Sequence, residues 1–241
     1  MSPALVSATT KIEVPEKHWD AMFAPSSCLT MITSVNESGE VNAATYGTCT
    51  RVAHNPVHLL FAVTADPPSD TYMNVLETGQ FVVNAVAFDD ELLARCLVVG
   101  LPFEPGVNEL QRAGLTELPS LTVAPPRIAE CHSHFECEVA WVQTFEHRAI
   151  ICGKVVAVTI DEDCYDPRGV VYFDKLKPAH YAGAPYGSTF VAAYEPHYIE
   201  RRYDGPADWR DGTPTQQGAL PDIIGNTTLS VEFGGPEGVG H

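Results

Sequence analysis

The chain is poor in positive charge. Fourteen lysines and arginines face thirty-one aspartates and glutamates, a formal net charge of −17 at pH 7. Such a surface repels phosphate backbones and anionic lipid, which argues against nucleic acid and membrane as partners. Long hydrophobic runs are also missing, and no apolar stretch reaches the length of a membrane span. Met1 to Thr10 lack a basic stretch followed by an apolar one, so no secretory signal is visible and the expected location is the cytoplasm. Cys-x-x-Cys pairs are absent. The seven cysteines are odd in number and scattered, which fits free thiols in a reducing compartment better than a disulfide framework.

What is present fits a folded protein with a substantial core. Hydrophobic residues make up 45% of the 241 and charged residues 19%, enough for one large domain or two small ones. Leu29 to Val35 alternates and is rich in β-branched residues, which predicts a strand. Asn36-Glu37-Ser38-Gly39 is a turn signal, and Glu40 to Tyr46 returns as the paired strand. Val57 to Thr64 is an apolar strand entered through Asn55-Pro56. Thr71 to Thr78 reads as a helix ending on Gly79, Phe81 to Val86 as a strand buried on both faces, and Asp89 to Val99 as a helix with an acidic cap. Leu101 to Pro126 is a proline- and glycine-rich excursion with a short helix from Val107 to Ala113. An excursion of that length commonly covers a pocket. Ile128 to Phe145 and Arg148 to Asp161 follow as two long strands turned at Glu146-His147. A helix is expected at Pro15 to Phe23, a loop region at Asp163 to Gly187, and an extended tail from Tyr203, pinned by Leu229 to Phe233. Many strands with helical insertions predict a mainly β fold, a barrel decorated by helices.

Two polar segments stand out between the strand-like runs. One is Asn42-Ala43-Ala44-Thr45-Tyr46-Gly47-Thr48-Cys49-Thr50, read as a loop. The other is Ser69-Asp70-Thr71-Tyr72-Met73-Asn74, leading into Val75-Leu76-Glu77-Thr78-Gly79-Gln80-Phe81-Val82-Val83-Asn84. Small hydroxyl residues, glycine and available backbone N–H groups suit a phosphate or a flat polar ring. Taken singly, the first could be a strand connection and the second a helix N-cap.

The order of these segments resembles the flavin reductase-like, FMN-binding split-barrel family. The likeness covers about residues 20 to 190. It runs through Asn42-Ala43-Ala44-Thr45-Tyr46, Asn55-Pro56, Asp70-Thr71 and Ala113-Gly114-Leu115-Thr116, then Pro126-Arg127-Ile128-Ala129-Glu130, Phe135-Glu136-Cys137, His147, Gly153-Lys154-Val155-Val156-Ala157-Val158, and Pro178 to Tyr186. The resemblance implies a homodimeric split β-barrel that binds FMN near the dimer interface, with residues 1–26 as a lead-in, 27–200 as the barrel and 201–241 as a Gly/Pro-rich extension. It assigns Thr45, Tyr46, Gly47, Thr48, Cys49 and Thr50 to the isoalloxazine and ribityl chain. Ser69, Asp70 and Thr71 would lie at the phosphate, and Asn84 and Ala85 along the ring pocket. His147 would stand where nicotinamide or substrate approaches.

The chain departs from the family inside those same segments. Thr45-Tyr46-Gly47-Thr48-Cys49 replaces a common Pro-Tyr-Ser-x-Phe, and Ser69 and Met73 stand where relatives commonly carry a lysine and an arginine. Three readings stay open. Arg51 or Arg95 supplies the missing charge, FMN binds weakly, or the pocket serves another use.

Other residues invite chemistry. On a strand, His132, His134 and Glu136 share one face, a possible ligand set for zinc or iron. That face also reads as a solvated or dimer-facing surface opposite a core face of Phe135, Cys137, Val139 and Trp141. His147 is of the residue type that donates protons near neutrality, or an ordinary turn histidine. His180 and Tyr181 line the pocket or cap a loop, Tyr186 packs, and Cys49 reads as a buried structural thiol. Acidic Asp161-Glu162-Asp163 reads as a solvated turn.

The leading expectation is an FMN-dependent oxidoreductase, an NAD(P)H:flavin reductase or a reductase of a small substrate, passing hydride through flavin N5. NADH or NADPH would be co-substrate, and a monooxygenase a possible partner. The alternatives are a split-barrel enzyme that has lost flavin and uses its His/Glu residues for non-redox chemistry or ring cleavage, and a non-catalytic flavin-binding module.

Overall fold

The computed structural model describes residues 28–104, 106–166, 170–183 and 188–193, the backbone of 197–199 and 231–233, and the isolated Glu13 and Pro15. The expected helix from Pro15 to Phe23, Tyr186, and most of the lead-in and tail lie outside the described residues. The long strands are β1 (Cys28–Val35), β2 (Val41–His54), β3 (Val57–Thr64), β4 (Gln80–Ala85), β7 (Ser133–Phe145) and β8 (Arg148–Ile160). A two-residue pair, β5 (Glu117–Leu118) and β6 (Arg127–Ile128), lies between β4 and β7, and β9 (Tyr165–Asp166) and β10 (Val170–Val171) form another. The helices are α1 (Asp70–Thr78), α2 (Asp90–Val99), α3 (Glu109–Ala113) and α4 (Phe173–Leu176). The last strands are β11 (Ala179–Tyr181), β12 (Phe190–Ala192), β13 (His197–Ile199) and β14 (Val231–Phe233), the final two paired with each other.

Six antiparallel strands close into a barrel in the order β1-β2-β3-β8-β7-β4, with β4 returning to β1. The seam is β1 itself. Thr30 to Thr33 pair with Ala85 to Val82 of β4, while Cys28 pairs with His180 of β11. Alternation along the strands sends Ile32, Phe61, Val63, Phe81, Val83 and Ile151 into the barrel. A second core fills the space between the barrel and helices α2 and α3, built on Leu29, Met31, Leu92, Cys96, Leu110 and Ile128. The mainly β, helix-decorated barrel expected from the sequence is the observed fold.

Local signals account for the helices. Ser69 caps α1 by accepting from the Tyr72 N–H, and Gly79 ends it at φ 69°, a left-handed conformation that costs glycine little. Asp89 caps α2 by accepting from the Glu91 and Leu92 N–H groups.

Three expectations need correction. Asn42 to Thr50 is no loop. It lies within a single 14-residue strand, paired with β1 up to Tyr46 and again at Cys49, then with β3 from Thr50 onward. A bulge interrupts the first pairing, since Thr30 faces Tyr46 but Cys28 faces Cys49. Ile128 to Phe145 is not one strand either. Ile128 is drawn away to pair with Glu117, and residues 129–132 turn before β7 begins.

The face carrying His134 and Glu136 is not solvated. Both are buried under the end of the excursion, whereas Trp141, expected in the core, is exposed beyond a bulge between Val139 and Trp141. Glu136 accepts hydrogen bonds from the N–H groups of Leu121 and Thr122, both at 2.7 Å, and of Val123 at 3.3 Å. It also accepts from the Thr122 hydroxyl at 2.7 Å. Burial pushes this carboxyl up, and these donors together outweigh it, leaving the group below its ordinary value. Residues 121–123 of the excursion are thus held to β7 by one carboxylate.

Candidate active site

A cavity of about 860 Å³, within the size range of small-molecule sites, opens against the middle of β2. Asn42 to Thr48 form its floor. Thr64, Pro67, Pro68 and the start of α1, Ser69 to Thr71, form one wall. Val99 to Phe103 and Glu109, from the end of α2 and the excursion, form the other. Arg148, the first residue of β8, reaches in from beside Thr64 and is, among the described residues, the one lysine or arginine along the lining.

The structure brings together Thr45, Tyr46, Gly47, Thr48, Ser69, Asp70 and Thr71 from the two polar segments. It places the other expected residues apart from the cavity lining. Cys49 points into the barrel, where burial pushes its thiol up to about 12. Thr50 is exposed and pairs with Leu60. Asn84 is fully buried, donating to the Met31 carbonyl at 3.0 Å and accepting from the Ile128 N–H at 2.9 Å, so it ties β4 to β1 and β6. Ala85 pairs with Thr30 and Ser133.

His147 sits in the exposed β7–β8 turn, with Nδ1 3.7 Å from an Asp66 carboxylate oxygen. Its carbonyl accepts from the Ala65 and Asp66 N–H groups, which fastens that turn to the loop leading into Pro67 and Pro68. Tyr181 packs against Gly47, where an added Cβ would stand 3.0 Å from the Tyr181 Cβ. The glycine departure at 47 is therefore matched by a tyrosine occupying the vacated space.

Most hydroxyls around the cavity are already engaged with protein. Thr71 is buried and accepts from the Asn42 amide at 3.0 Å. Asn42 also donates to Ser34 at 3.1 Å. Thr45 donates to the Cys96 carbonyl at 2.6 Å, and Thr48 accepts from the Ala62 N–H at 3.1 Å. Tyr46 stacks edge-on against Phe61 with ring centroids 5.0 Å apart. Burial pushes its phenol up to about 12, opposed by the Thr71 hydroxyl and the Arg148 charge. Glu109 accepts from the Ala43 N–H at 2.9 Å. Burial raises its carboxyl, the Ala43 N–H opposes this, and Asp70 adds to the rise. The cavity lining thus carries charges of both signs, the Arg148 guanidinium and the carboxyl groups of Asp70 and Glu109.

Arg148 and Glu109 were not among the residues singled out in the sequence. Arg51 and Arg95, which were, do not line the cavity. Arg95 is occupied by Glu91 at 2.5 Å and by the Gly114 carbonyl. Met73 is exposed to solvent, away from the cavity. The possible metal ligands are likewise engaged elsewhere. His132 pairs with Asp161 at 2.6 Å, and His134 contacts the Ile128 carbonyl and the Thr159 hydroxyl through its two ring nitrogens. Among the described residues, no group of three or more His, Cys, Asp or Glu converges to hold a metal ion.

A second concavity of about 690 Å³ lies beside α2, with Asp89, Arg95, His132 and Lys175 in its lining. Among the described residues, no helix is long and apolar enough to cross a membrane.

The fold agrees with what the chain resembles. Residues 22–180 match the flavin reductase like domain, and the chain belongs to that family. Membership places it among flavin-related oxidoreductases. An uncharacterised protein of Aquifex aeolicus is 30% identical over 158 residues, covering 64% of this chain and 80% of that one. Among solved structures, 2-nitrobenzoate 2-nitroreductase of Pseudomonas fluorescens is 25% identical with a TM-score of 0.65, covering 83% of this chain and 98% of the other. Nitrilotriacetate monooxygenase component B of Bacillus cereus shares the fold at 23% identity and a TM-score of 0.66, covering 81% of this chain and 98% of that one.

Proposed function

We propose that the chain is an FMN-dependent oxidoreductase that uses NADH or NADPH, with the β2 cavity as its flavin site. The observation that supports this reading is the cavity's make-up: a strand floor broken by a bulge, polar walls, and one cation for an anionic tail. The residues present fit such a group. The floor from Ala44 to Gly47 offers a flat backbone surface, Tyr46 is held rigid by Phe61, and Pro67, Pro68, Leu101 and Phe103 supply apolar rims. FMN bound there would supply hydride acceptance from nicotinamide and onward electron transfer.

In this reading the protein's own residues bind and orient. Tyr46 and Thr71 hold the floor to α1, and Glu109 anchors the excursion wall to the Ala43 backbone, keeping water away from that side. His147, in the β7–β8 turn beside Asp66, is the residue this reading assigns to offering a proton to a small substrate. The outlet is either a partner monooxygenase taking reduced flavin or a small substrate reduced in place. Exposed Trp141 and Phe145 on β7 are apolar side chains that the second copy in a homodimer would cover.

An absorption spectrum of the purified protein, taken before and after adding FMN and removing the excess, tests the reading. A retained flavin band together with NAD(P)H consumption is the expected result. A colourless protein that cannot be loaded with FMN, or one that takes FMN but leaves NAD(P)H untouched, overturns it.

A further inference from the structure

We propose that Arg148 is the phosphate anchor of this pocket, restoring from β8 the positive charge that the chain lacks at Ser69 and Met73. The inference rests on the flavin reading of the cavity and adds to it a residue and a chemistry: recognition of the ligand's phosphate by a guanidinium.

Thr64 is the pivot. Its carbonyl accepts from both the Ser69 N–H and the Ser69 hydroxyl, each at 3.2 Å. Its own hydroxyl accepts from Arg148 Nη1 at 3.2 Å. Ser69 and Arg148 therefore hang from the same residue, and the guanidinium occupies the neighbourhood that a long basic side chain at position 69 would reach. Strand pairing sets this arrangement, because Thr64 and Arg148 are direct partners in the β3–β8 ladder. The Glu146–His147 turn holds the end of that ladder, with the His147 carbonyl fixed by the Ala65 and Asp66 N–H groups.

The charge on Arg148 is available. Among the described residues it makes no ion pair within 4.0 Å, whereas Arg95 and Arg127 each do. Among the described residues its hydrogen-bond partner is the neutral Thr64 hydroxyl, which leaves N–H donors of the guanidinium for an anion. A guanidinium meets phosphate oxygens through two parallel N–H donors, a stronger contact than neutral hydrogen bonds give. In a chain of net charge −17, with Asp70 and Glu109 on the same lining, a dianion would otherwise find little to hold it.

Riboflavin carries the ring and ribityl chain of FMN without the phosphate, so it isolates this contact. Dissociation constants for FMN and riboflavin are measured by flavin fluorescence on the full chain and on Arg148→Gln, Arg148→Lys and Arg51→Gln. The parent protein is expected to prefer FMN by tenfold or more. Arg148→Gln should weaken FMN at least tenfold and leave riboflavin within twofold, Arg148→Lys should recover part of the preference, and Arg51→Gln should change neither. If Arg148→Gln leaves the preference intact, or weakens both flavins equally, the assignment of Arg148 is overturned while the flavin pocket stands. If the parent protein binds neither flavin, the pocket reading falls and this assignment with it.

Discussion

Phe81 fills the space that Gly153 leaves open inside the barrel. A Cβ placed on Gly153 would lie 2.4 Å from the Phe81 Cζ and 3.0 Å from the Cys137 Cβ. Phe81 is fully buried and also meets Phe61 edge-on at 5.2 Å, so it has no open direction of retreat. Gly153→Ala should therefore destabilise the fold by about 1–3 kcal/mol, the usual cost of overpacking a tight core. Urea unfolding measures it, and Gly153→Ala combined with Phe81→Leu should recover part of the loss.

The Glu136 carboxylate is the tie between β7 and residues 121–123. Glu136→Gln keeps the size and replaces one acceptor oxygen with a donor aimed at N–H groups. The expected loss is about 1–3 kcal/mol, the range for buried polar groups left without partners. Proteolysis of the native protein should become faster within residues 119–126 and stay unchanged in the β7–β8 hairpin.

Acid should unfold the protein through two neighbours on β7. Burial lowers the His134 imidazole below its ordinary value, with the Ile128 carbonyl opposing, so the unfolded chain takes up that proton first. The Glu136 carboxyl is also lowered, its backbone donors outweighing burial. Both contributions are fully present above the unfolded values of 6.5 and 4.5 and are lost as pH falls through the lower folded ones. Stability followed by urea midpoint should decline below about pH 6.5 from His134 and more steeply below about pH 4.5 from Glu136. His134→Gln should flatten the upper part of the decline and leave the lower.

Gly47 and Tyr181 form a pair that a double-mutant cycle can separate. Gly47→Ser restores the residue common among relatives but pushes its Cβ to 3.0 Å from that of Tyr181. It should destabilise by about 1 kcal/mol, and in a Tyr181→Gly background, which removes that Cβ, the cost should vanish. Additive losses in the cycle would show that the two sites are independent.

Local chemistry was legible in the sequence, and long-range register was not. Val57 to Thr64, the Gly79 end of α1, the Asp89 cap and the Glu146-His147 turn follow from residue types that act on their immediate neighbours. The two polar segments also meet at one cavity. Arg148 could not be read in the same way. It enters the site through a ladder with Thr64, 84 residues earlier, and a shift of one residue in that ladder would turn its side chain to the other face of the sheet. The burial of Glu136 was hidden for a similar reason. Its partners come from the excursion, whose path depends on contacts such as the Ala124 N–H to Gln80 rather than on any periodicity. Asn42 to Thr50 looked like a loop because its residues are small and polar, yet two different neighbouring strands make it continuous.

The cysteines have a consequence for the protein's working life. Cys28 is exposed and the other six are buried, and burial pushes those six thiols up. Oxidants attack the thiolate, so sulfur held protonated reacts slowly. Reduced flavin that meets dioxygen releases peroxide, and an enzyme of the proposed kind would generate that hazard at its own surface. This barrel stores its sulfur in the chemical form and the location least open to such damage. Wear from turnover should therefore fall first on the one surface thiol, near the mouth of the seam where β1 meets β11.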